Sequence, residues 1–229
     1  EIMPSLVGSE MCIRDSNIKT LKAFNMVEIM IVVCLLVTTV ILCIPTIFNN
    51  SKEAKIISGW KRIYAEMQSN FEVFNVSDAD VIEKICRSNV AQKEPEIFKV
   101  ISPYLNVDLS RNPNTLKSYH YKFKNGSQIP MQSMVFTRFF SYQENGNIVG
   151  FKWLDCECSE KVPCATVLFD MNGIEKPNRI GRDIFGIYIY KNRIEAFGAE
   201  FTNDSLERSC SSHSNGMSCS EYYLRGGKF

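Results

Sequence analysis

Side chains able to hold a hard cation are concentrated in one stretch, FDMNGIEKPNRIGRD. Asp170, Asn172, Glu175, Asn178 and Asp183 each offer there a carboxylate or amide oxygen of the kind Ca²⁺ prefers. Gly173 falls at the fourth position counted from Asp170, whereas an EF-hand loop places its glycine at the sixth, so that motif lends no support. Lys176, Arg179 and Arg182 interleave the acids and set positive charge against a bound cation. The same residue types have a second chemistry, in which Asp and Asn side chains accept hydrogen bonds from nearby backbone N–H groups and stabilise tight turns. Asp170-x-Asn172-Gly173, Pro177-Asn178 and Gly181 supply three such turns in succession. A structural loop is therefore preferred to a calcium site at Asp170, Asn172 and Asp183.

Cysteine is the second reactive group, with nine in the chain. Cys156, Cys158 and Cys164 are spaced C-x-C and then C-x₅-C, without the paired C-x₂-C halves of a zinc site. Cys12 lies near the start of the chain, and Cys34 and Cys43 lie in an apolar run. Cys86, Cys156, Cys158, Cys164, Cys210 and Cys219 remain, an even set suited to disulfides in an oxidising compartment, and the spacing leaves their pairing open. The two histidines, His120 and His213, stand in polar segments beside no catalytic motif. The serine-rich stretch 209–220 lacks the strand–turn–helix setting of a nucleophile elbow, and no phosphate-binding glycine loop occurs. The expectation is a structural protein rather than an enzyme.

The 229 residues suffice for one domain, or for a small domain with an appendage. With 26 basic and 25 acidic residues the net charge is +1, so the totals carry no nucleic-acid footprint. A local basic patch would need the fold to assemble it.

The elements that must position these groups begin with Phe24–Asn50. Ile29–Ser51 carries no charged residue, and the run is long enough for a helix to cross a bilayer core. Glu28, near its start, is costly in lipid unless neutralised or paired. From Ser51 the pattern becomes amphipathic: Ile57, Trp60, Tyr64, Met67, Phe71 and Phe74 recur at spacings of three and four, with Ile56 and Ile63 widening the stripe. Together these segments predict one helix from about residue 24 to about residue 74, loosened near residues 41–45 by Pro45 and weakened at Gly59. Residues 78–89 read as a short helix, residues 91–105 as a second short helix or irregular packing, and 110–128 as a solvent-facing loop. Segments 133–140, 148–154, 162–170, 184–190 and 193–197 are rich in β-branched and aromatic residues and predict a sheet, with hairpin turns at 144–147 and 190–193, the latter using Asn192 at positive φ. The fold class expected is α+β, with the apolar stripe of the helix covering one face of an antiparallel sheet.

Lys22-Ala23-Phe24-Asn25-Met26-Val27-Glu28, followed by an apolar run containing Pro45, resembles the N-terminus of type IV pilins and pseudopilins. A second stretch, D-x-N-G and then P-N-x-x-G-x-D-x-F over residues 170–185, is similar to a motif in the C-terminal halves of certain bacterial pilin-like proteins. The resemblance implies cleavage between Ala23 and Phe24 by a prepilin peptidase and N-methylation of Phe24; Ala23 stands where the family usually carries Gly. It implies that Glu28 docks the subunit into a growing filament and that Pro45 permits local loosening of the helix. Implied partners are other pilin or pseudopilin subunits, the peptidase, and the inner-membrane assembly platform with its ATPase. Nucleic acid enters only for a DNA-uptake pilin. Some pseudopilins hold calcium in a loop near the end of the sheet, and pilins often staple a C-terminal loop, which here implies a Cys210–Cys219 pair. Cys156 or Cys158 would then join Cys164, and Cys86 would take the partner left over.

The domain plan that follows is a leader over 1–23, a membrane and filament-core helix over 24–50, its amphipathic continuation over 51–75, and a head over 76–229. Residues 1–16 carry three acidic side chains, unlike a leader, and PSLVGSEMCIRDS resembles translated sequencing adaptor; a short native leader ending in SNIKTLKA is expected. The place implied is the bacterial inner membrane, with the head outside the cytoplasm in a pseudopilus or a surface pilus. The alternative is a membrane-anchored binding or sensory protein that does not polymerise, for which Glu28 is an unexplained cost.

Overall fold

The computed structural model describes residues 25–77, 85–86, 94–108, 116, 119–137 and 139–228. Helix α1 (Met26–Ser77) is followed by α2 (Glu94–Ile101), a 3₁₀ segment (Ser102–Leu105), six strands and two short C-terminal helices. The chain divides between Asn49 and Asn50 into two compact units, so the C-terminal part of α1 belongs with the sheet.

In the first unit, Met26–Ile44 is long and apolar enough to cross a membrane, and its side chains are exposed. Its polar members are satisfied inside the helix: Thr38 Oγ1 donates to Leu35 O (2.9 Å) and Thr39 Oγ1 to Leu36 O (2.8 Å). The outer surface presented by this segment is therefore almost wholly hydrocarbon. Glu28 occupies the first turn, where a carboxylate complements the helix dipole. The helix continues through Pro45 and Gly59 without interruption.

In the second unit the amphipathic stripe is the buried face of α1. Trp60, Ile63 and Met67 are buried, and Ile56, Ile57, Tyr64 and Phe71 pack partly buried around them. Trp60, with no exposed surface, stacks on Phe185 at 5.3 Å between ring centroids, and its indole N–H donates to Ser220 O at 2.8 Å. A buried aromatic with its single polar atom satisfied contributes both area and orientation.

The strands β1 (Val107–Asp108), β2 (Phe139–Gln143), β3 (Ile148–Trp153), β4 (Ala165–Asp170), β5 (Ile184–Ile189) and β6 (Ile194–Ala196) form one open sheet in sequential order, antiparallel throughout. Every residue of β4 is buried because both sheet faces are covered. Ala165, Val167 and Phe169 face the core of α1, whereas Leu168 joins a second core of Tyr121, Ile129, Val135, Ile180, Ile184 and Phe197. Glycines admit the second layer: a Cβ at Gly186 would lie 2.1 Å from Phe197 Cε2, and one at Gly150 would lie 2.6 Å from Phe140 Cε1.

Three expectations are corrected here. The region read as a solvent-facing loop buries Leu116 and Tyr121, and residues 119–137 cover the outer sheet face. The strand expected over 133–140 begins only at Phe139, because upstream backbone groups find side-chain partners instead. Tyr121 OH donates to Val135 O (2.7 Å) and accepts from Thr137 N (2.8 Å), while Thr137 Oγ1 donates to Phe151 O. Residues 190–193 do turn, with Tyr190 N donating to Arg193 O at 2.8 Å, but among the described non-glycine residues positive φ falls on Asn106 and Asn178, not on Asn192. The expected helix over 78–89 lies outside the described residues except for Ile85 and Cys86, which are helical.

Disulfides join Cys86 to Cys156, Cys158 to Cys164 and Cys210 to Cys219, with Cα–Cα separations of 5.5, 4.8 and 4.8 Å. The last clamps α3 (Asn203–Ser209) to α4 (Cys219–Leu224), two helices that the turn-rich composition of the segment had concealed. Cys34 and Cys43 are free thiols on the exposed surface of α1.

Candidate functional site

The turn between β4 and β5 gathers the oxygen-bearing residues singled out in the sequence. Asp170 ends β4, and Asp183 stands immediately before β5; they are 2 % and 0 % exposed. Burial without charge neutralisation is unfavourable for carboxylates, so each must find donors. Asp183 accepts from Asn178 N (2.8 Å) and Arg179 N (2.6 Å), and Asn172 Nδ2 donates to it at 3.3 Å. Asp170 accepts from Asn172 N at 3.1 Å and from the hydroxyl of Tyr119, which the sequence offered no reason to place here. Asn178 sits at φ 50° just after the cis Lys176–Pro177 bond, and Gly173 and Gly181 take φ of 70° and 78°. Each Asp thus closes a tight turn by capping backbone N–H groups.

Burial pushes the Asp170 carboxyl up to about 8, outweighing the Tyr119 hydrogen bond that favours its ionised form, and the nearby Asp183 raises it further. Burial also raises Asp183, against the backbone N–H bonds that favour its charge. Tyr119 is raised as well, by burial first and then by Asp170. Its ring meets Phe140 edge-on at 4.7 Å and stacks with Tyr121 at 6.1 Å.

Two buried oxygens, Asn172 Oδ1 and Asn178 Oδ1, have no hydrogen-bond partner among the described residues, and amide oxygens are of the kind a hard cation takes. The carboxylate oxygens of Asp170 and Asp183 are occupied by donors from the chain itself, and Glu175 is exposed. Among the described residues, no group of three or more His, Cys, Asp or Glu is placed to hold a metal ion. The arrangement can hold a loop shape and take up a proton; it presents no nucleophile with a base.

The other residues singled out fall elsewhere. Glu28 is exposed on the first turn of α1; Ala23 and Phe24 lie outside the described residues, as does the side chain of Pro45. His120 and His213 are both exposed. An apolar void of about 30 Å³, lined by Met67, Phe71, Tyr104, Trp153 and Ile189 among others, has room for solvent but not for an organic ligand. Sequence reasoning missed Lys124, whose ammonium donates to Cys210 O at 2.8 Å and lies 3.5 Å from each sulfur of the Cys210–Cys219 disulfide. It is part-buried over the Tyr223 ring, 5.9 Å from the centroid. No family model, no curated protein and no solved structure matches this chain.

Proposed function

We propose that this chain is a structural subunit of a type IV pilus-like filament or of a type II secretion pseudopilus, processed by a prepilin peptidase and polymerised through its N-terminal helix. The observation that carries the reading is the register of Lys22-Ala23-Phe24 with Glu28 and with the apolar run that follows. A carboxylate in the first turn of an otherwise hydrocarbon helix has a purpose if it meets the free N-terminus of a neighbouring subunit, since pairing removes the cost of holding it in an apolar medium. Two further features support the reading. The amphipathic half of α1 packs against an antiparallel sheet, and the disulfides suit a head folded in an oxidising compartment.

In this role Phe24 becomes the methylated terminus and Met26–Ile44 packs helix to helix in the filament core. Glu28 neutralises the neighbouring terminus, and the platform ATPase supplies the work of extraction from the membrane. Mass spectrometry of the N-terminal peptide from native membranes tests the processing step. N-methylated Phe24 is expected, whereas a chain retaining Ala23 in cells with an active prepilin peptidase would leave an anchored, non-polymerising protein. Glu28→Leu is expected to keep membrane insertion and to lower incorporation into filaments at least tenfold; a normal filament yield would remove the role given to Glu28.

A further inference from the structure

From the fold, and from the reading of Met26–Ile44 as a membrane span, we infer that the end of the head nearest in the chain to that span is a docking surface for anionic lipid headgroups. Lys52 stands eight positions beyond Ile44, and Lys55 three positions further. Both lysines are exposed. The tertiary fold then brings basic residues from two distant segments to the same end. Lys122 N donates to Asn178 O (3.1 Å), Ile180 N donates to Lys122 O (2.9 Å), and Arg179 Nη1 donates to Lys124 O (3.3 Å). Segments 122–126 and 178–182 are therefore stitched together, and the exposed Lys122, Lys176 and Arg182 share one region of the surface.

Two contacts fix which end this is. A Cβ at Gly59 of α1 would lie 3.0 Å from Met171 Cε, so the β4–β5 turn lies beside the N-terminal part of α1 within the head. At the other end Met67 and Phe71 line a void with Trp153, Ile189 and Ile194. Glu53 reaches the basic cluster electrostatically: it opposes the downward shift of Lys124, which burial and then Arg182 produce. Glu144 and Glu175 are the exposed acids of the adjoining turns, and Glu53 is half-buried toward Lys124, so the exposed balance of these segments is basic although the whole chain is close to neutral. Only a short stretch of chain joins this end of the head to the span, and lysine and arginine within about 8 to 10 Å of anionic headgroups remain unscreened at physiological salt. A nucleic acid would have to find the same patch from solution.

The test uses the full chain in nanodiscs of phosphatidylcholine alone or with three parts in ten phosphatidylglycerol, read by amide hydrogen exchange. The anionic discs are expected to slow exchange at least threefold in 120–126 and 176–183, and 0.5 M salt or the triple substitution Lys122→Gln, Lys176→Gln, Arg182→Gln should abolish the effect. Equal exchange in the two discs overturns the inference, and this comparison needs no variant. Slowing that survives both salt and the triple substitution also overturns it. So does slowing in neutral discs on addition of a short DNA duplex, with no response to phosphatidylglycerol, which would assign the patch to nucleic acid. A head that ignores headgroups leaves the filament reading as it stands, because assembly is tested separately at Glu28 and Phe24.

Discussion

The apolar residues in the two parts of α1 meet opposite fates. From Met26 to Ile44 large side chains point outward all round the helix, Leu36 being 60 % exposed, whereas from Ile56 to Phe71 they form one stripe that is covered by the sheet. The difference lies in the polar residues, which are almost absent from the first part and occupy the remaining faces of the second. An apolar face of limited width can be buried against one sheet, while a helix apolar on every side needs a surrounding medium or several neighbours. The same backbone element therefore serves as the spine of a head in one part and as an unpartnered hydrocarbon cylinder in the other.

Substitutions can break or sharpen this contrast. The largest effect is expected from Trp60→Ala, which empties the stack on Phe185 and deletes the bond to Ser220; the head should lose about 3–5 kcal/mol, measured by chemical unfolding of the full chain in detergent. Next, replacing both Cys210 and Cys219 by Ser releases the clamp on α3 and α4 and should cost roughly 3 kcal/mol, with faster proteolysis of residues 203–224. Equal protease resistance before and after reduction would remove the staple.

A smaller, pH-dependent effect belongs to Asp170. Its carboxyl is raised by burial above its value in the unfolded chain, so the stability it contributes is full below the ordinary carboxylate range. That stability is lost as the pH rises through about 8. Melting temperature should therefore fall from pH 5 toward pH 9, and Asp170→Asn, which cannot ionise, should flatten the slope; Asp183 keeps part of it, being shifted in the same direction. The smallest effect is the control. Leu36→Ala should leave head stability unchanged within about 0.5 kcal/mol, because its side chain is exposed. A loss comparable with that at Trp60 would abolish the contrast between the two parts of the helix.

Local pattern carried much of the architecture. The three-and-four spacing around Trp60, Ile63 and Met67 identified the buried face of α1, and β-branched and aromatic runs located β3, β4, β5 and β6 to within a few residues. The turn chemistry of Asp170, Asn172 and Asp183 was legible for the same reason, since an Asx side chain answers to backbone groups a few residues away. The second sheet cover was not legible. Residues 110–128 are polar enough to read as a solvent loop, and the burial of Tyr121 within them depends on a cluster with Leu168 and Phe197, which are far away in the chain.

The sequence alone thus determined the apolar run with its one acidic residue, the amphipathic continuation, the α+β class and an even set of six cysteines beyond the run. Each of these follows from residue type at short spacing, where helix and strand periods impose their own pattern. Only the tertiary structure decided which cysteines pair, that Tyr119 covers Asp170, that Lys124 rests on the Cys210–Cys219 disulfide, and that Lys122 pairs with Asn178 and Ile180. Apart from the Cys158–Cys164 and Cys210–Cys219 bridges, those are long-range contacts. Their partners are selected by the packing of a sheet between two covering layers, and no local period in the chain encodes that choice.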